Sequence, residues 1–330
     1  MRRGLAIVAL LLALGGVALL GLGYWIDQQF NAPGPSQADV TFVADKGAGA
    51  AAIGGELAAA NLIRSARIFE LGRRFFSAPG PLKAGEYVVA AGSSAAAIVQ
   101  LLQSGKTAVR KITFAEGLTN AEFRRILAAA EGLTGDVGRL PEQGWLLPET
   151  YHYSLGDSRR DIVQRAQAAM RRLLESEWLA QAAGLPLKSQ SEALVLASII
   201  EKETGWRGER PRVSAVFINR LRLGMRLQSD PTVIYGITGG QQELNRLLTL
   251  RDLKHPTEHN TYVIPALPPT PIANPGRAAI HAAVHPADTD DLYFVASGDG
   301  GHVFARTLAG HNRNVAQWRK FVRQQKKLPQ

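Results

Sequence analysis

The chain has 330 residues, with 38 lysines and arginines against 28 aspartates and glutamates, a net charge of +10, and no cysteine. Its 46% hydrophobic and 20% charged residues are those of a globular protein with a real core, which excludes a disordered chain and a multi-span membrane protein. The missing cysteine excludes disulfides, thiolate metal sites and an acylated-cysteine anchor. The positive charge asks for an acidic partner, whether nucleic acid, anionic lipid or a carboxylate-rich cell wall.

Arg2 and Arg3 precede an uncharged run from Gly4 to Ile26, which is long enough to cross a bilayer once. The run ends in Tyr24-Trp25-Ile26, an aromatic interface marker, where a cleaved export signal would end in small residues. The expected start is a cytoplasmic stub at 1–3, a transmembrane helix at 4–26 and a linker at 27–38 that includes Asn31-Ala32-Pro33-Gly34-Pro35-Ser36. Positive residues stay inside, so everything after Asp27 in this single-pass protein is expected on the outer face of the membrane. Nucleic acid then drops out as a partner, and the wall remains.

A small module is expected over residues 39–108. Val40-Thr41-Phe42-Val43 and Gly85-Glu86-Tyr87-Val88-Val89 read as strands, with helices at Ile53–Leu62, Ala66–Phe76 and Ser94–Leu102. From residue 109 a mixed α+β domain runs to residue 330. Ile112-Thr113-Phe114 reads as a strand, and Thr119-x-x-Glu122 as a capping box that opens a helix. A long amphipathic helix follows at Asp161–Ala183, and Ser189-x-x-Glu192 opens another in the same way. Further helices are expected at Val213–Leu223, Gln242–Leu253, Arg277–Ala283 and Asn312–Gln325. Leu292–Ala296 and His302–Ala305 flank a Gly-Asp-Gly-Gly turn and read as a β-hairpin. The basic end of the chain, with Arg319, Lys320, Arg323, Lys326 and Lys327, reads as a solvated face.

The most informative stretch is Ala193-Leu194-Val195-Leu196-Ala197-Ser198-Ile199-Ile200-Glu201-Lys202-Glu203-Thr204. On a helix, residues three, four and seven apart share a face, so Glu203 falls in line with Ile200, Ile199 and Leu196. Glu201 is turned to the other side and is expected to follow the exposed face. A carboxyl on an apolar stripe is costly to ionise, and its raised pKa suits a general acid. The alternative is a helix that frays after Ile200 and leaves both glutamates solvated. Two further segments carry amides, hydroxyls and aromatic faces, an inventory that sugar sites use and many ordinary turns share. One is the polar turn Gln228-Ser229-Asp230-Pro231-Thr232, and the other is His259-Asn260-Thr261-Tyr262 before the stiff loop Leu267–Gly276.

Together these segments resemble the endolytic murein transglycosylase family of the MltG (YceG-like) type. The match is carried in order by Glu201-Lys202-Glu203-Thr204, Asn219-Arg220-Leu221, Gly224–Gly236, Asn260-Thr261-Tyr262, Leu267-Pro268-Pro269, Ile272–Gly276, His285-Pro286 and Leu292-Tyr293-Phe294-Val295. The resemblance implies an α+β fold with a LysM-like β-α-α-β subdomain, of which Lys83-Ala84-Gly85-Glu86-Tyr87 is the trace, and a catalytic domain at 109–330. It implies that Glu203 is catalytic. Gln228, Asp230, Thr232, Asn260 and Tyr262 are the expected sugar-positioning residues. Glu149 joins them as a candidate, because it stands in Gly144-x-x-x-Pro148-Glu149-Thr150-Tyr151 where the family has Asp.

The implied reaction cuts the bond between N-acetylmuramic acid and N-acetylglucosamine in nascent peptidoglycan strands and leaves a 1,6-anhydro end. Glu203 acts as acid and then base, and the enzyme terminates glycan elongation, with wall synthases as possible partners. No metal and no organic cofactor is expected. The pairs His281/His285 and His255/His259 have i, i+4 spacing, but Pro286 follows one, Pro256 interrupts the other, and neither has the glutamate of a His-Glu-x-x-His zinc site. Two other readings stay open: a non-catalytic peptidoglycan-binding scaffold, and a hydrolytic muramidase that pairs Glu203 with Asp230 or Glu149.

Overall fold

The computed structural model describes residues 2–298 and 300–325, the side chains of residues 2–4 and of Gln325 apart. Asp299 of the hairpin turn and Lys326 and Lys327 of the basic end lie outside the described residues. The architecture is α+β with small two-stranded sheets. The chain divides into two compact units, one up to Arg110 with His152–Asp157, the other Lys111–Tyr151 with the residues from Ser158 onward.

The first unit begins with α1 (Arg2–Asn31), whose residues from Leu5 are apolar enough over sufficient length to cross a membrane. The helix does not stop at Ile26. It runs on to Asn31, and Phe30 is 1% exposed in the core of the unit. The expected linker therefore begins as helix, because Phe30 has apolar surface to bury there. β1 (Val40–Ala44) and β2 (Gly85–Val89) pair antiparallel, with Phe42 opposite Tyr87. Two helices lie between them, α2 (Ala50–Ala59) and α3 (Ala66–Phe76), and α4 (Ala95–Ser104) follows. Ser65 and Ser94 cap α3 and α4 with their hydroxyls. Tyr87 is fully buried and its hydroxyl donates to the Lys83 carbonyl at 2.8 Å.

The second unit is mostly helical. β3 (Arg110–Thr113) pairs with β4 (Thr150–Tyr153), and α5 (Asn120–Ala129) opens on the expected Thr119–Glu122 capping box. α6 (Arg159–Leu179) and α7 (Gln190–Glu203) follow. Only half of the second capping box forms: Ser189 accepts the Glu192 N–H, while the Glu192 carboxylate accepts the N–H of Lys188 at 2.7 Å. α8 (Arg210–Arg222) is preceded by a short 3₁₀ turn, Arg207–Glu209. Then come α9 (Asp230–Thr238), α10 (Leu250–Lys254) and α11 (Arg277–Val284). The hairpin of β5 (Tyr293–Ala296) and β6 (His302–Ala305) leads into α12 (Leu308–Gln325).

Two expectations differ. The helix expected from Gln242 forms only at Leu250–Lys254, because Leu247 and Leu250 stand exposed and no buried face holds the rest. The polar turn expected at 228–232 is the start of α9, with Pro231 in its first turn, a position where the missing N–H costs nothing.

The core of this unit is built around α7. Every residue from Ala193 to Ile200 is buried, and α11 contributes Ala279, Ile280 and Ala283 to the same core. The loop before α11 is fastened by polar contacts. Ser198 Oγ accepts the Ile272 N–H at 3.0 Å, and buried Asn274 accepts the Leu146 N–H and donates to the Leu118 carbonyl. A Cβ on Gly276 would overlap the Glu116 carboxylate, so a larger residue there would have to push that side chain aside.

Candidate active site

α7 stays helical through Glu203, with Thr204 as its C-cap, so the frayed alternative does not occur. Glu201 departs from expectation. Its side chain is 5% exposed, with Arg210 Nη2 at 2.6 Å and the Gly276 N–H at 2.8 Å. It is buried because α11 covers the face opposite the apolar stripe. Burial pushes the Glu201 carboxyl upward, against the Gly276 N–H and Arg210, which pull it down. Both of its oxygens are engaged, and it holds the 271–276 loop to α7 and α8.

Glu203 stands instead in a cleft of about 490 Å³. Gln228, Asp230 and Tyr262 line one side, β5 and β6 another, and His311 of α12 closes it. Burial raises the Glu203 carboxyl to about 7, aided by the charge of Asp230 and opposed by the Ser229 hydrogen bond and by Arg220. Ser229 Oγ donates to Glu203 Oε1 at 2.5 Å. Ser229 is itself held from behind: its N–H donates to Thr261 Oγ1 at 2.9 Å, and Thr232 Oγ1 donates to its carbonyl at 2.6 Å. Thr232 and Thr261 hydroxyls meet at 2.8 Å. This chain of hydroxyls sets where the carboxyl points.

The expected positioning residues fall into three groups. Gln228, Asp230 and Tyr262 line the cleft with Glu203, and the Tyr262 hydroxyl donates to Asp230 Oδ1 at 2.7 Å. Gln228 holds φ at +53°, an uncommon backbone for a non-glycine residue that turns the chain into α9. Thr232 and Asn260 are buried behind the wall, at 0% and 1% exposure. Asn260 Nδ2 donates to the carbonyls of Asp252, Leu253 and His255 at the end of α10. Glu149 is away from the lining, paired with Arg277 at 2.6 Å.

Four cleft residues were not anticipated: Arg220, Tyr293, His302 and His311. Arg220 is 7% exposed and donates to the carbonyls of Leu292 and Leu227 at 2.7 Å, with the Tyr293 ring 5.2 Å away. It shares its helix face with Val213, Val216 and Phe217, so the test that selects Glu203, a charge on an apolar stripe, also finds it. His302 Nδ1 lies 2.9 Å from Glu209 Oε2, and His311 stacks on Tyr293 with ring centres 5.2 Å apart. These partners come from distant segments, and no local pattern marks them.

Among the described residues one His/Glu group has ligand atoms that converge within 4.8 Å, Glu177 of α6 with His281 and His285 of α11. It does not line the cleft. His281 Nδ1 lies 2.8 Å from Glu177 Oε2, and His285 Nε2 lies 2.8 Å from the Ala180 carbonyl.

The chain is similar to known proteins over most of its length. The profile of the YceG-like family matches residues 42–317. An endolytic murein transglycosylase of Bacillus subtilis (strain 168) is 30% identical over 309 residues, covering 84% of this chain and 84% of that protein. One of Streptococcus pneumoniae (strain D39) is 26% identical over 359 residues, and the match takes in 93% of this chain but 63% of that longer protein. A crystal structure of a yceG-like protein of Listeria monocytogenes is 28% identical and covers 84% of this chain and 99% of that one, with a TM-score of 0.49. With the family profile spanning most of its length, the chain belongs to the YceG-like family.

Proposed function

We propose that this protein is an endolytic murein transglycosylase that cuts the N-acetylmuramic acid–N-acetylglucosamine bond, with Glu203 as general acid and then base. The observation that carries this reading is the environment of Glu203, a carboxyl raised to about 7, open to a cleft and held by Ser229. An acid that keeps its proton near neutral pH is what departure of a sugar alkoxide requires. Ser229 occupies Oε1, which leaves Oε2 to carry the proton to the substrate.

In the first half-reaction Glu203 protonates the bridging oxygen, and the bond from that oxygen to muramyl C1 breaks. In the second, the muramyl 6-hydroxyl oxygen bonds to C1 and its proton returns to Glu203. The products are a new N-acetylglucosamine end and a 1,6-anhydro end. One carboxyl suffices because the nucleophile belongs to the substrate, whereas hydrolysing glycosidases usually use two. Gln228, Asp230 and Tyr262 position the sugar, and Thr232 and Asn260 act through the wall they support. Arg220 supplies positive charge to the carboxylate formed midway.

The same reading makes α1 a single inner-membrane anchor with its N-terminus in the cytoplasm, residues 39–108 a LysM-like glycan-binding module, and residues 109–330 the catalytic domain. Held beside strands as they are made, the enzyme ends their elongation in partnership with wall synthases. Failure to co-purify with any synthase would count against that last step. A two-carboxylate muramidase is favoured by one observation, that Asp230 lines the same cleft. Mass spectrometry of uncross-linked glycan strands treated with the full chain separates the readings. Anhydro-muramyl ends from wild type and none from Glu203→Gln support the transglycosylase, reducing ends support the muramidase, and intact strands with a folded protein support a scaffold.

A further inference from the structure

The N-terminal unit holds a second cavity, of about 390 Å³, between the end of α1 and α3. Leu22, Trp25 and Ile26 of α1 form one wall, Leu71 of α3 stands in the other, and Arg64 and Arg67 are at the lip. Along α3 the residues Arg67, Leu71, Arg74 and Phe75 recur at i, i+4, i+7 and i+8, which is one helix face. That face is uncovered: Phe75 is 65% exposed and Leu71 37%. Arginines interleaved with bare apolar side chains are the composition of a helix that lies in the headgroup layer of a membrane.

The placement of this face follows from α1. About 20 residues cross the hydrocarbon core, so a span that begins at Leu5 brings Trp25 to the far interface, where tryptophan is enriched. α3 is fastened at that depth, because Gly72 packs against the Phe30 ring so closely that a Cβ would overlap it. The groove is therefore continuous with the membrane on its α1 side and basic on its water side. Arg64 spends one contact, at 3.4 Å, on the Pro33 carbonyl, and the rest of its planar fork suits a phosphate.

We propose that this groove seats one anionic phospholipid of the leaflet that faces the folded units. Its acyl chains run along Leu22, Trp25, Ile26 and Leu71, and its phosphate lies between Arg64 and Arg67. The bound lipid fixes the height of the N-terminal unit above the bilayer. The proposal rests on α1 being a membrane span.

The test places the full chain in nanodiscs of equal phosphatidylglycerol and phosphatidylcholine, then counts retained lipid by native mass spectrometry. The expected result is one phosphatidylglycerol per chain, enriched roughly tenfold over phosphatidylcholine, in keeping with two arginines at an anionic surface. Arg64→Gln with Arg67→Gln removes the enrichment and leaves far-ultraviolet circular dichroism unchanged, and Arg251→Gln keeps it. Equal retention of both lipids, or enrichment that survives the double variant, overturns the proposal. A groove that retains neither lipid but holds a co-purifying polypeptide overturns it too. Flotation with vesicles separates the two layers. A wild-type chain that does not float ends the span reading and this proposal together, and one that floats without enrichment ends the proposal alone.

Discussion

Glu201 and Glu203 leave the same helix two residues apart and enter unlike surroundings. Glu201 is enclosed by Arg210 and the Gly276 N–H, with both oxygens occupied. Glu203 receives one hydroxyl from Ser229 and otherwise faces a cleft. Both carboxyls are raised by burial, so burial alone does not distinguish a structural acid from a chemical one. The difference lies in what fills the remaining lone pairs. A paired carboxylate ties segments together, while one left open to a cleft can exchange a proton.

The largest expected effect breaks the comparison from the chemical side. Glu203→Gln lowers strand cleavage by about 10²–10⁴-fold, the usual worth of general acid–base help, while thermal unfolding is not lowered. Equal loss in cleavage from Glu203→Gln and Glu201→Gln would remove the distinction. From the other side, Glu201→Gln removes the nearer of the two carboxylates that hold buried Arg210, leaving Glu116 at 3.3 Å, and costs up to about 3 kcal/mol of stability, read by denaturant unfolding. Cleavage per folded molecule then stays close to that of wild type.

Thr261→Val tests the hydroxyl chain behind the cleft. It leaves the Ser229 N–H without its acceptor, at a cost of about 1–3 kcal/mol, and cleavage falls as Ser229 loosens. The smallest effect concerns pH. On the proposed mechanism Glu203 acts first as the protonated acid, so the expected kcat/KM falls as pH rises through about 7. The Ser229 hydrogen bond favours the charged form, so Ser229→Ala raises the carboxyl further and moves the falling limb to higher pH. Stability follows the same sign. A carboxyl whose folded value lies above its ordinary 4.5 favours the fold fully below that value, and the contribution is lost as pH rises through about 7. Glu203→Gln flattens that stretch of a stability–pH curve.

Local chemistry was legible along most of the chain. Ser65, Ser94 and Thr119 cap helices where hydroxyl side chains precede apolar periodicity, and β5 and β6 form the hairpin expected around the glycine-rich turn. The face carrying Glu203 was legible as well, since 3.6-residue geometry needs only the order of residues. The burial of Glu201 was not, because the helix that covers it, α11, lies some eighty residues further on. α9 was hidden because Asp230-Pro231 opens a helix and a turn with the same letters. Thr232 and Asn260 share polar chemistry with Gln228 and Tyr262, and only the direction of each side chain separates wall from lining.

The sequence by itself determined the long apolar run near the start, the helix face on which Glu203 falls, and the family, because these depend on composition, period and ordered motifs. The tertiary structure alone decided which acid is paired, which polar residues reach the cleft, and that His302 and His311 join Glu203 there. It also carried α1 on to Asn31, which buries Phe30. Each of these depends on what a distant segment places against a side chain, and local periodicity carries no information about that.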